Sequence, residues 1–71
     1  MLLEFKFMDG KPIMINSQSI HAVEDSWDMP GVPCRRITYS SGSSCFNVDT
    51  EEPMTSIVDR VNLANKSENR F

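Results

Sequence analysis

Leu3-Glu4-Phe5-Lys6-Phe7-Met8-Asp9-Gly10-Lys11-Pro12-Ile13-Met14-Ile15 is the stretch whose reading decides the fold. Leu3, Phe5 and Phe7 alternate with Glu4 and Lys6, the period of a half-buried strand. Ile13 and Ile15 resume the alternation beyond Asp9-Gly10, so the two runs read as a hairpin. Two registers compete. A two-residue Asp9-Gly10 loop would pair Met8 with Lys11 and Lys6 with Ile13. A three-residue loop of Met8, Asp9 and Gly10 pairs Phe7 with Lys11, Phe5 with Ile13 and Leu3 with Ile15. Only the second gathers the apolar partners on one face, and it sets Gly10 at the left-handed position of a G1 bulge. The three-residue loop is the expectation.

Working outward, Asn16-Ser17-Gln18-Ser19 reads as a polar turn. Ile20 to Glu24 follows as a short third strand, with a pattern too irregular to assign a face to His21. The segment Ser26-Trp27-Asp28-Met29-Pro30-Gly31-Val32-Pro33 is punctuated by Pro and Gly and admits neither strand nor helix. It is read as a loop, yet it carries Trp27, Met29 and Val32. Such side chains either fold over an open end of the sheet or anchor a partner.

Arg35 to Tyr39 and Ser44 to Val48 read as a second hairpin around Ser40-Ser41-Gly42-Ser43. Closing it at Tyr39 and Ser44 sets Ile37 opposite Phe46 and Cys45 opposite Thr38, with Tyr39 and Val48 on the Ile37 face. Asp49-Thr50-Glu51-Glu52-Pro53 then opens a helix, with Asp49 as cap, Glu52 in a capping box and Pro53 in the first turn. Met54, Ile57, Val58, Val61 and Ala64 form its apolar stripe. The fold class expected is α+β: a curled antiparallel sheet of about five strands, in the order β-β-β-loop-β-β, covered by one C-terminal helix. Residues 1–66 form the single domain and 67–71 a frayed tail.

At 71 residues the chain is near the lower limit for folding alone. Ordering it costs on the order of 100 kcal/mol, at roughly 1.5 kcal/mol per residue, and so small a core barely exceeds that. A homo-oligomer is therefore expected. The net charge is −3, and only Arg35 and Arg36 are adjacent among the basic residues. Nucleic acid is disfavoured by that balance, as is adsorption to anionic lipid. Met1 to Phe7 mixes charged with apolar residues and does not read as a signal peptide, and no apolar run is long enough to span a membrane. The expected compartment is the cytoplasm, where Cys34 and Cys45 stay reduced.

Catalytic groups are not expected. His21 is the one histidine, and no Ser or Cys sits in a recognisable nucleophile setting. The Ser-rich run at 40–44 is composed like a hairpin tip. His21, Glu24, Asp25 and Asp28 match no metal-ligand spacing, so neither metal nor cofactor is expected. Cys34 and Cys45 are not expected to bridge, because Cys45 faces Thr38 in the register above. The residues left for recognition are Trp27, Asp28, Met29 and Val32 on the loop, with Arg35 and Arg36 beside it.

The spacing Phe7-x-Asp9-Gly10-x-Pro12-Ile13-x-Ile15-Asn16, then Ile20-x-x-Val23-Glu24, resembles small flagellar FlbD/SwrD-type proteins. Ile37-Thr38, Gly42, Phe46-x-Val48 and Glu51-Glu52 continue the likeness, over about residues 5–61. LytTR-type DNA-binding domains share the strand–Gly–strand–helix cadence, but this chain lacks their length and basic character. The flagellar resemblance implies no enzymatic activity and carries no catalytic residues. The function expected is that of a small cytoplasmic protein-interaction module, an accessory factor or a phage- or plasmid-type inhibitor of a host protein. It would bind through residues 27–33 and the neighbouring sheet edge. The alternatives are a nucleic-acid-binding module using Arg35 and Arg36 with Lys11, and a self-assembling structural subunit.

Overall fold

The computed structural model describes residues 1–26 and 31–68. Its elements are β1 (Leu2–Lys6), β2 (Pro12–Asn16), a 3-10 turn (Ser17–Ser19), β3 (Ile20–Ser26), β4 (Cys34–Ser41), β5 (Ser44–Thr50) and α1 (Met54–Glu68). The fold is α+β.

The first hairpin forms as the alternation requires. Leu3 pairs with Ile15 and Phe5 with Ile13, and the Phe7 amide donates to the Lys11 carbonyl at 2.9 Å. Gly10 closes the three-residue loop at φ 90°, the bulge position. Asp9 Oδ1 accepts from the Lys11 amide at 3.0 Å and steadies the turn. Pro12 is tolerated as the first residue of β2 because its ring sits where no ladder bond is needed.

The single five-stranded sheet is not what forms. The strands divide into a two-stranded sheet, β1-β2, and a three-stranded sheet in the order β3-β4-β5. The break falls at the 3-10 turn. Asn16 caps it, its Oδ1 accepting from the Gln18 amide at 3.1 Å, and Ser17 is wholly buried. That turn redirects the chain, so β3 leaves β2 instead of pairing with it.

The second hairpin is also tighter than its sequence suggested. Ser41 faces Ser44, leaving Gly42-Ser43 as a two-residue turn. Gly42 has φ 64° and no non-glycine among the described residues has a positive φ, which is the pattern of a type II′ turn with glycine first. Ile37 therefore faces Val48, Tyr39 faces Phe46, and Cys45 faces Ser40. The register moves by two residues, so every side chain keeps its expected face.

Strand β5 runs on to Thr50, which pairs with Arg35 and is buried. Asp49 is thus a strand residue and not the helix cap, and α1 starts only at Met54. Glu52 sits ahead of the helix instead of in a capping box, and the Pro53 carbonyl accepts from the Ile57 amide at 3.1 Å. The helix includes Ser67 and Glu68.

Phe5, Ile15, Ile37, Val48 and Ile57 make the buried core, one residue from each of β1, β2, β4, β5 and α1. Leu3, Ile13, Ile20, Val23, Tyr39 and Val61 pack around it. Ala64 is buried one turn along α1, whereas Val58 is exposed. Strand β3 carries a bulge between Ile20 and Ala22 that turns His21 out to solvent, which explains its irregular sequence pattern.

A Cβ added at Gly10 would meet nothing within 4 Å, so substitution there tests backbone conformation alone. Gly10→Ala should destabilise the fold by about 1 kcal/mol, and Gly10→Asn by less, since Asn tolerates positive φ. Urea unfolding of the two variants measures the difference; equal stability would contradict the bulge.

Candidate functional site

Of the six residues assigned to recognition, Trp27, Asp28 and Met29 lie outside the described residues. Val32 is half-buried at the approach to β4. Arg35 and Arg36 do not form a joint basic patch, because neighbours in a strand point to opposite faces. On one face, Arg36 is held side-on by Asp49: Nε donates to Oδ1 at 3.1 Å and Nη2 to Oδ2 at 3.5 Å. Glu24 is opposite Arg36 on the other side, so acidic residues flank it in both neighbouring strands. On the other face, Arg35 lies between Asp25 and Thr50, and its Nε is buried without a hydrogen-bond partner. Both side chains belong to the sheet more than to a phosphate-binding surface.

The thiols are free, Cys34 buried and Cys45 exposed. Cys34 Sγ donates to the Ser26 carbonyl at 3.6 Å, which ties the C-terminal end of β3 to the start of β4. No group of three or more His, Cys, Asp or Glu side chains that could hold a metal occurs among the described residues. No described helix is long and apolar enough to cross a membrane.

What the structure does bring together is a pair of strand edges. Because Phe7 and Lys11 form a hydrogen-bonded pair, strand alternation turns the backbone groups of Glu4 and Lys6 away from β2. Arg60 marks the direction: its Nη2 donates to the Glu4 carbonyl at 2.5 Å. In the other sheet, the pair closing a two-residue turn is hydrogen-bonded, so Ser44, Phe46, Val48 and Thr50 bond to β4. The backbone groups of Cys45, Asn47 and Asp49 then face outward. Neither edge is part of the other's ladder.

A cleft runs between these edges. Its larger part, about 470 Å³, is walled by Glu4 to Phe7 on β1 and by Thr50, Glu51 and Glu52 on the other side. Past Phe7 and Met8 it continues into a space of about 420 Å³ walled by Asp9, Asn47, Arg36 and Asp49. Phe7 borders both parts and is 38% exposed; Phe46, further along β5, is 47% exposed and lies 5.8 Å from the Tyr39 ring. Sequence alternation put both rings in the core.

Arg60 closes the α1 end of the cleft. Its Nη1 donates to Glu52 Oε1 at 2.6 Å, and Ser56 Oγ donates to Glu52 Oε2 at 2.6 Å. The guanidinium carbon stands 4.6 Å from the Phe5 ring centroid. One side chain thereby joins α1, the strand–helix connection and the β1 edge. Nothing in the local sequence pattern around Arg60 signals this role.

A second groove, about 420 Å³, lies between Met1 and Leu3 and the Leu63, Ala64 and Ser67 side of α1. Leu63 there is 71% exposed.

Comparison with protein-family models, curated proteins and solved structures finds no match to this chain.

Arg60 and Glu52 should behave as a coupled pair. Arg60→Met and Glu52→Gln should each cost about 1–2 kcal/mol in unfolding, and the double variant should cost less than their sum. Strict additivity in a double-mutant cycle would contradict the clamp.

Proposed function

We propose that this protein is a non-enzymatic interaction module that takes up an extended segment of another protein along the edge of β5. The observation that supports the reading is the outward-facing backbone of Cys45, Asn47 and Asp49 beside a cleft bordered by exposed Phe7. A strand edge is a ready template for another strand, and main-chain bonds supply affinity whatever the partner's fold. Natural edges are blunted by Lys, Pro or bulges. Strand β5, Ser44-Cys45-Phe46-Asn47-Val48-Asp49-Thr50, has none of these.

Ser26 and Cys34 pair at the end of the three-stranded sheet where Arg35 faces Thr50, and Thr50 walls the larger part of the cleft. Trp27 and Met29, which lie outside the described residues, enter the proposal on residue type alone, as apolar anchors for the same partner. A cytoplasmic accessory factor or inhibitor of this kind needs no catalytic group. Self-association is the second reading and uses the same edge, since β5 running antiparallel to its own copy sets the same outward groups against each other.

Proline at position 47 removes one outward amide and leaves the β4 ladder intact. Asn47→Pro should retain the wild-type fold by circular dichroism and lose at least about tenfold in affinity for a partner captured from the protein's own cells and then purified. Trp27→Ala, measured beside it, reports the loop's share. Undiminished binding by a folded Asn47→Pro variant would overturn the proposal, and a dimer that this variant dissociates would assign the edge to self-association.

A further inference from the structure

The cleft also carries information about what the incoming segment must look like, provided the β5 edge is the binding site. Strand addition is set by backbone, so selectivity has to come from the side chains that wall the path. Two of the five carboxylates there are already neutralised: Asp49 by Arg36 and Glu52 by Arg60, the latter at 2.6 Å. Asp9 stands 3.8 Å from Lys11, with both side chains well exposed, a contact that screens little. Glu4 and Glu51 are exposed and carry no ion-pair partner among the described residues. Lys6 is the cation the walls present against them. The two arginines that line the cleft are both engaged, one by Asp49 and one by Glu52 and the Glu4 carbonyl.

The uncommitted charge along the path is therefore acidic, in a chain whose net charge is −3. Phe7, 38% exposed, lines both parts and offers an apolar surface along the path. An added strand presents alternate side chains to alternate faces. We propose that the segment taken up on β5 is cationic, with Lys or Arg alternating with apolar residues, so that basic side chains meet Glu4 and Glu51 while an apolar one covers Phe7. An acidic segment would bring carboxylates against carboxylates in the same slot, the repulsive half of specificity.

The Arg60 bond to the Glu4 carbonyl sharpens the assignment to β5. An outward acceptor on β1 is already occupied, so a strand entering the cleft finds the β1 edge partly capped and the β5 edge open. The rule that edges are covered where addition is unwanted applies to one wall of the cleft only.

The test uses three fluorescent ten-residue peptides of alternating Lys-Val, Glu-Val and Ser-Val, titrated into the full-length protein while amide exchange is followed along β5. The Lys-Val peptide should bind at least about fivefold more tightly than the Ser-Val peptide, with the Glu-Val peptide weakest. Its advantage should shrink as salt rises and in the Glu4→Gln/Glu51→Gln double variant. Exchange at Cys45, Asn47 and Asp49 should slow when it is bound. Equal binding of Lys-Val and Ser-Val peptides with β5 protected would overturn the charge preference and leave the edge reading standing. Failure of every peptide to slow exchange on β5, or protection confined to other elements, would overturn both.

Discussion

Side chains, and no shared ladder of hydrogen bonds, hold the two sheets of this protein together. Phe5 and Ile15 from the hairpin pack on Ile37 and Val48 from the three-stranded sheet, with Ile57 of α1 completing the core. Arg60 adds a polar tie across the same junction, from Glu52 to the Glu4 carbonyl. Had the strands formed one sheet, β1 or β2 would have covered an edge of the larger sheet. Because side-chain packing does that joining, β1 and β5 keep backbone groups that point into a cleft. The interaction surface is thus a consequence of how the core is assembled.

Phe7 and Phe46 carry the alternation of core-facing strand positions, yet both are exposed. Phe7 borders the cleft, and Phe46 lies on β5 against the Tyr39 ring. Arg35 and Arg36 show the opposite case. Adjacent in sequence, they looked like a recognition pair, but strand geometry sends them to opposite faces, and Arg36 is spent on Asp49.

How much of this was written in the sequence depends on the length scale. The first hairpin was readable to the residue because Asp9-Gly10 and the apolar alternation constrain register from two directions. In the second hairpin the serines around Gly42 fit several turn lengths, and a shift of two residues changes no face, so pattern alone left the pairing open. The split between sheets was not readable, because the strand pattern is the same whether or not β3 pairs with β2. Thr50 also misled: pairing with Arg35 draws Asp49 into the strand and moves the helix start. The edge itself is a tertiary property, set by which strands fail to meet, and no local pattern encodes it.

Amide hydrogen exchange of the isolated protein tests most directly whether the outer edge of β5 is unpaired. In dilute solution the amides of Phe46, Val48 and Thr50 should be strongly protected, while those of Cys45, Asn47 and Asp49 exchange at least about tenfold faster. Uniform protection along residues 44–50 would show that another strand already covers the edge and would contradict the account.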